Sequence, residues 1–121
     1  MKGYNKAIGN YGEDLAISYL KEKKYNVLFH SFKCKQGEVD IIAKTHDIIC
    51  FIEVKSRFSR LYGAPMESIT YSKRNRIINT AKYYLYINNI KNCNVRFDVM
   101  ELLFNNTNNC CKINHIIDAF R

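Results

Sequence analysis

Two short apolar runs, separated by a polar break, constrain the fold of this 121-residue chain more than any other feature. The first run follows Gly37 and the second ends at Lys55, and both have the isoleucine, valine and phenylalanine content of β-strands. The break at 44–47 is short enough to join them as a β-hairpin. Asp40, Glu53 and Lys55 lie inside these runs. Burying a charge costs several kcal/mol unless it is compensated, so these three positions are the first candidates for a functional site.

Strand alternation predicts which of these charges can meet. Side chains point to alternate faces of a strand, so Glu53 and Lys55 share one face. If Ala43 pairs with Ile48, Asp40 lies on that same face and diagonal to Glu53. Diagonal neighbours have Cα atoms roughly 7–8 Å apart, near enough for two carboxylates to reach a common point. A loop of odd length would place Asp40 on the other face, so the sequence permits the cluster without requiring it.

Such a cluster has a definite chemistry. Carboxylates that lie close together raise one another's pKa values, and a divalent cation removes the repulsion. Oxygen ligands with few histidines select Mg²⁺ or Mn²⁺ over zinc. A lysine on the same strand face can orient or deprotonate an attacking water and offset charge in the transition state. These parts suit phosphodiester hydrolysis. An ordinary ion pair between Glu53 and Lys55, with Asp40 in a turn, is the simpler alternative and stays open.

Composition limits the kinds of partner and the cellular compartment that we expect for this protein. The net charge of +8 and the pI near 9.3 favour a polyanionic partner, with nucleic acid first. The five cysteines form no Cys-x-x-Cys pair, and we expect reduced cytosolic thiols rather than a disulfide framework or a zinc site. The N-terminus lacks the apolar core of a signal peptide, and no apolar run is long enough to span a bilayer. We therefore expect a cytoplasmic protein that makes no membrane contact.

The remaining elements follow from periodicity. Helical spacing of apolar residues predicts helices over 5–23 and 72–88, the second with Ser72 as its N-cap. Glu13 borders the apolar stripe of the first helix, where by itself it is best explained as a residue that turns to solvent or pairs with a lysine. Further strands are predicted over 25–33, 95–103 and 112–120. The order of elements predicts a single α/β domain over 1–121, with a mixed five-stranded sheet flanked by helices.

Basic residues concentrate after the hairpin. Arg57 and Arg60 lie in a loop that we expect to face phosphate. Lys73, Arg74 and Arg76 lie in the first turns of the second helix, where positive charge opposes the helix dipole. An anion bound at the helix N-terminus would explain them. A solvated basic face explains them equally well.

Several motifs in a fixed order carry a family resemblance. Glu13 on a first helix, then Gly37-Glu-Val-Asp40, then Phe51-Ile-Glu-Val-Lys55 resembles the PD-(D/E)XK nuclease superfamily. Within it, the chain is similar to the YraN-like family of predicted endonucleases, which resemble archaeal Holliday-junction resolvases. The likeness covers nearly the whole chain and continues through Gly63-Ala-Pro65, Arg96-Phe-Asp-Val99 and Ile117-Asp-Ala-Phe120.

The resemblance implies a restriction-endonuclease-like core and Mg²⁺-dependent (or Mn²⁺-dependent) cleavage of DNA in repair or recombination, by a homodimer if the likeness to the resolvases extends that far. It assigns Asp40 and Glu53 as metal ligands, with the Val54 carbonyl as a third. It assigns Lys55 as the catalytic lysine and Glu13 as the helical acid that completes the site.

Two departures from the pattern that the resemblance implies involve three residues. Val39 replaces the superfamily's nominal proline, and His30 with Ser31 stands where an arginine and an asparagine are expected. The acid and lysine positions are intact, which favours an active enzyme. Two alternatives stay open: a nucleic-acid-binding or accessory domain of the same fold without turnover, and a structural partner in DNA uptake or recombination.

Overall fold

A computed structural model describes the backbone of residues 2–58, 69–104 and 111–121, and the side chains of these ranges from residue 11 onward. Within them the chain forms, in order, α1 (Lys2–Glu22), β1 (Asn26–Cys34), β2 (Gly37–Thr45), β3 (Ile48–Arg57), α2 (Tyr71–Ile87), β4 (Asn94–Phe104) and β5 (Cys111–Phe120). The predicted order of helix, three strands, helix and two strands is confirmed. No helix in the described ranges combines the length and the apolar character needed to cross a membrane.

The strands of the described ranges form one sheet in the order β1-β2-β3-β4-β5. All neighbouring strands are antiparallel except β3 and β4, which are parallel. A parallel pair requires a long crossover connection, and α2 lies in the segment that connects these two strands. The fold is therefore the mixed five-stranded α/β architecture that the sequence predicts.

The sheet is buried on both faces, one under each helix. We call the two clusters the α1 core and the α2 core. The α1 core contains Ala16, Leu20, Ile41, Ala43, Cys50, Ile52, Met100 and Leu102. The α2 core contains Phe32, Val39, Ile42, Ile49, Phe51, Ile69, Ile77, Ala81, Tyr84, Val99 and Phe120. Residues of β3 alternate between the two cores, as predicted, because successive side chains of a strand point to opposite faces.

The β2–β3 hairpin is tighter than predicted. Thr45 pairs with Ile48, and Ala43 pairs with Cys50 rather than with Ile48. The connection is therefore two residues long, and its first residue, His46, has a left-handed φ of 53°. The predicted register was wrong by two residues. Because a shift of two preserves the side-chain period, the predicted faces of the β3 residues are unaffected.

Helix α2 begins one residue earlier than predicted. Thr70, not Ser72, is its N-cap: the Thr70 hydroxyl accepts a hydrogen bond from the Lys73 backbone N–H at 3.2 Å. The Thr70 backbone is extended, as an N-cap requires, whereas Ser72 already lies inside the helix. The first turn carries no acidic residue, so its basic side chains remain unbalanced by the helix itself.

A fully buried carboxylate joins β4 to β5. Asp98 accepts two hydrogen bonds from the Arg96 guanidinium at 2.9 and 2.8 Å, and one from the Asp118 backbone N–H at 3.0 Å. The His115 Nε2 lies 2.8 Å from the same carboxylate, and Arg96 also donates to the Tyr25 hydroxyl. Burial by itself would raise the pKa of Asp98, but these hydrogen bonds and the Arg96 charge lower it below its ordinary value.

Candidate active site

Asp40 lies where β2 breaks its regular alternation. The β1–β2 ladder continues on both sides of Ser31 and Asp40 but does not pair these two with each other, and Ser31 has a left-handed φ of 59°. Across this break Val39 packs in the α2 core and Ile41 in the α1 core, although residues two apart normally share a face. Asp40 thus leaves the ladder, and its Oδ2 accepts a hydrogen bond from the Val54 backbone N–H at 2.8 Å.

Glu53 and Lys55 extend β3 beyond its pairing with β2, which ends at Ile41 opposite Ile52. Their side chains are 20% and 24% exposed, and the Lys55 Nζ lies 3.4 Å from the Glu53 Oε1. The Asp40 charge acts on Glu53, and Asp40 binds the backbone N–H of Val54, the residue that follows Glu53. The structure therefore brings two carboxylates and one lysine together where the pairing of β2 with β3 ends.

The carboxyl groups of this cluster resist ionisation. Burial, and then the neighbouring Asp40 charge, raises the pKa of Glu53 to about 7, although Lys55 opposes the shift. Burial also raises the pKa of Asp40, against the hydrogen bond from the Val54 N–H. Both shifts favour the neutral form of these carboxyl groups, and a bound cation would favour the charged form instead.

Glu13 approaches the cluster from the other side of the sheet. Helix α1 packs on the face of the sheet opposite to Glu53 and Lys55, so Glu13 does not lie on their face. Glu13 nevertheless interacts with Asp40, because Asp40 lies where β2 changes face. Burial, and next the Asp40 charge, raises the pKa of Glu13. Its Oε1 lies 3.6 Å from the His30 Nε2, on β1, a contact that the sequence did not predict.

The residue before Glu13 fixes the position of α1. A Cβ atom at Gly12 would overlap the Ser56 Oγ and lie 3.2 Å from the Ser56 Cβ. The Ser56 Oγ is buried and has no hydrogen-bond partner among the described residues. The helix backbone can therefore approach β3 this closely only because residue 12 lacks a side chain, and this contact is next to Glu13 in the chain.

Glu38 is a member of the acidic cluster to which sequence reasoning gave no role. Its charge contributes to the raised pKa values of Asp40, Glu13 and Glu53. The side chain is exposed and lines the same cavity as Glu53. Its position two residues before Asp40 in the same strand was the available signal. Because the strand was expected to alternate without a break, that signal did not distinguish Glu38 from an ordinary surface residue.

The donor set suits a hard divalent cation. No group of three or more His, Cys, Asp or Glu side chains in the described ranges forms a ready-made metal site. Mg²⁺ does not require one, since it is usually bound by one or two carboxylates and keeps water or substrate oxygens in its other positions. Asp40, Glu53 and the Val54 carbonyl offer oxygen ligands only, and the Asp40 charge acts directly on the Glu53 carboxyl group.

A cleft of about 400 Å³ lies between this cluster and α2. We call it the basic cleft. Glu53 and Lys55 form one part of its wall, Lys73 and Arg76 of α2 another, and Lys33 of β1 a third. Positive side chains from three separate elements thus surround a cavity that also contains a predicted metal ligand.

Of the other predicted cations, the structure describes Arg57 and Arg74, and neither lines the basic cleft. The Arg74 Nε donates a hydrogen bond to the Ile69 carbonyl at 3.1 Å, and its guanidinium lies 5.9 Å from the centre of the Phe120 ring. Arg57 ends β3 with a half-buried side chain and is not among the described residues that line the basic cleft. Arg60 lies outside the described residues. The predicted group of five is therefore divided, with Lys73 and Arg76 at the cleft and Arg74 in a structural contact.

Comparison with known proteins places the whole chain in one family. Residues 12–102 match the Uncharacterised protein family UPF0102. A UPF0102 protein of Clostridium perfringens is 53% identical over 121 residues, which are 100% of this chain and 99% of that protein. UPF0102 proteins of Clostridium kluyveri and Clostridium tetani are 49% and 46% identical, with the same coverage. The chain therefore belongs to family UPF0102.

Proposed function

We propose that this protein is a metal-dependent endonuclease that hydrolyses phosphodiester bonds in DNA, with Mg²⁺ or Mn²⁺ as its cofactor. The observation that carries the proposal is the cluster of Asp40 and Glu53 beside Lys55, next to a cleft whose wall holds further cations. The resemblance of the motifs to the PD-(D/E)XK superfamily and its YraN-like members supports the same activity. Net charge of +8 supports a polyanionic substrate.

Asp40, Glu53 and the Val54 carbonyl would hold the metal. When bound, the ion would polarise the phosphate and lower the pKa of a coordinated water. The protein prepares this site by fixing the Asp40 carboxylate with the Val54 N–H, on the same residue whose carbonyl is the third donor. Such fixed donors need little reorganisation when the reaction begins.

Lys55 supplies positive charge where negative charge develops on the phosphoryl oxygens. Its Nζ is within 3.4 Å of Glu53, so the lysine lies beside a metal ligand and can donate a hydrogen bond to the attacking water or to the phosphate. Glu13 acts from the opposite side of Asp40. As an acceptor whose pKa is raised by burial, it can orient a water molecule in the outer part of the site.

A nuclease assay on single-stranded and branched DNA with Mg²⁺ or Mn²⁺ tests the proposal. Asp40→Ala and Lys55→Ala should each lower the rate at least about 100-fold, the usual effect of removing a group that stabilises the transition state. Lys82→Ala, at an exposed position of α2, is the matched control for the loss of one positive charge and should retain the rate. Equal cleavage by wild type and both site variants would identify a contaminating nuclease and reject the proposal.

The cations of the basic cleft also suit a nucleic-acid-binding domain without turnover. That function predicts affinity that falls steeply with salt because counterions are released on binding. It also predicts binding that is indifferent to Mg²⁺ and little changed by Glu53→Gln. A titration of Mg²⁺ or Mn²⁺ into wild type and Glu53→Gln separates the two functions, since only a metal site loses its ion when that carboxylate is neutralised.

A further inference from the structure

We propose that the basic cleft binds one unpaired nucleotide next to the reacting phosphate, so that the substrate is single-stranded or locally unpaired DNA rather than intact duplex. The inference rests on the proposed nuclease function, which identifies the reacting group as a phosphate. The shape and lining of the cleft are the evidence that the nucleotide is unpaired.

Part of the cleft lining is apolar. Ile69, Ile77 and Cys34 line the same cavity as Lys55, and the two isoleucines continue into the α2 core. A phosphate group by itself gains nothing from an apolar wall, whereas a sugar or a base covers such a surface favourably. Binding cavities for small organic molecules combine this kind of wall with a few polar groups, at volumes of roughly 300–1,000 Å³. The cleft, at about 400 Å³, lies within that range.

The charged part of the wall is arranged for more than one phosphate. Lys73 and Arg76 are three residues apart on α2, so they lie on the same side of the helix and both reach the cleft. Lys33 approaches from β1, and Lys55 lies beside the carboxylates. Lys55 serves the reacting phosphate, and the α2 pair can hold the phosphate that flanks it.

The cleft is bounded where β2 meets α2. Gly37 lines it, and a Cβ atom at that residue would lie 3.0 Å from the Thr80 Oγ1 and 3.5 Å from the Arg76 Cβ. The two elements are therefore in contact at this end. An unpaired nucleotide can place its sugar or base in this cavity, whereas a paired base stays inside the double helix.

Duplex DNA does not present such a group. Its exterior consists of sugars and phosphates, and its bases are exposed only at their edges in the grooves. The face of a base becomes available in single strands, or when a nucleotide leaves the stack. A partly apolar lining beside a row of cations therefore matches a nucleotide that is outside a double helix.

Binding measurements in EDTA test the inference without cleavage. The probes are a fluorescent 20-nucleotide single strand, the blunt duplex of the same sequence, and the single strand with several abasic sites. We expect the single strand to bind at least tenfold more tightly than the duplex, and the abasic strand to bind several-fold more weakly than the intact strand. Because removal of bases alters the probe and not the protein, this second comparison is independent of the folding of any variant.

Arg76→Ala supplies the matching change in the protein. It should weaken single-strand binding about five- to tenfold and reduce the salt dependence by about 0.7 in the slope of log K against log salt, the value for one phosphate contact on a single strand. Lys82→Ala, an equal loss of charge at an exposed position of the same helix, should change either quantity less.

Equal affinity for the intact and abasic strands, or for duplex and single strand, would overturn the inference, since the cleft would then bind phosphates alone. Cleavage of duplex and single strand at equal rates would overturn it while leaving the nuclease proposal in place. A preference for the intact single strand without metal-dependent cleavage would reject the nuclease and retain the nucleotide-binding cleft.

Discussion

Replacing Glu53 with glutamine should stabilise the metal-free protein at neutral and alkaline pH, and it should abolish stabilisation by Mg²⁺. In the unfolded chain Glu53 loses its proton near the ordinary pKa of 4.5, whereas in the folded protein the proton is held to about pH 7. Between these values the folded state binds more protons than the unfolded state, so the free energy of unfolding falls as the pH rises. Glutamine keeps a polar group at this position and carries no charge at any pH.

The size of the effect follows from the width of this window. Each pH unit corresponds to about 1.4 kcal/mol, so a shift from 4.5 to about 7 amounts to about 3 kcal/mol. This is the upper limit, because the side chain is 20% exposed and its titration depends on the ionisation of Asp40. Wild type and variant should therefore be equally stable below pH 4.5, and the variant should be more stable by up to about 3 kcal/mol above pH 7.

Urea unfolding in EDTA at pH 4, 5.5 and 8 measures the difference directly. Glu22→Gln, an exposed position at the end of α1, is the control for the loss of one carboxylate. A second series at pH 8 adds Mg²⁺, which should stabilise wild type by about 2.7 kcal/mol at 100 times its Kd and leave Glu53→Gln unchanged. Parallel pH curves for wild type and Glu53→Gln, or equal stabilisation of both by Mg²⁺, would refute the reasoning.

Three further changes test the contacts that hold the site. Gly12→Ala should lower the free energy of unfolding by about 1–3 kcal/mol through overpacking. In a protein that also carries Ser56→Ala, which lacks the overlapping hydroxyl, the loss should be less than half of that. An equal loss with and without Ser56→Ala would contradict the contact. Asp98→Asn should cost up to about 3–5 kcal/mol because the half-buried Arg96 loses the charge with which it pairs, and a loss under 1 kcal/mol in urea would argue against that network. Gly37→Ala should weaken both single-strand binding and stability, because its Cβ would press on Thr80. Unchanged affinity would show that this contact does not affect the cleft.

The fold and the faces of the hairpin were predictable because they depend on local patterns. Alternation in β3 has a period of two, and Glu53 and Lys55 keep their shared face whichever even-length turn closes the hairpin. The register was not predictable for the same reason. A two-residue turn and a four-residue loop give the same pattern of faces, and the sequence between Ala43 and Ile48 does not distinguish them.

The position of the acids depends on contacts that no local pattern reports. Asp40 leaves the ladder opposite Ser31, which has a left-handed φ. That conformation could not be predicted from the sequence, because serine rarely adopts it. Which face of the sheet α1 covers could not be predicted either. Strand β3 is apolar on both sides, so the sequence shows that two layers are needed but not which helix forms each. The side from which Glu13 approaches Asp40 was therefore not predictable.

The parallel pairing of β3 with β4 separates the two halves of the site along the chain. Asp40 and Glu53 belong to one hairpin closed by two residues, and Val54 N–H completes their contact within the same segment. Lys73 and Arg76 reach the cleft only after the long crossover has docked α2 on the sheet. Closing the two-residue hairpin costs less chain entropy than closing that crossover. The acidic pair therefore depends on contacts within one short segment, whereas its distance from Lys73 and Arg76 depends on how α2 docks on the sheet.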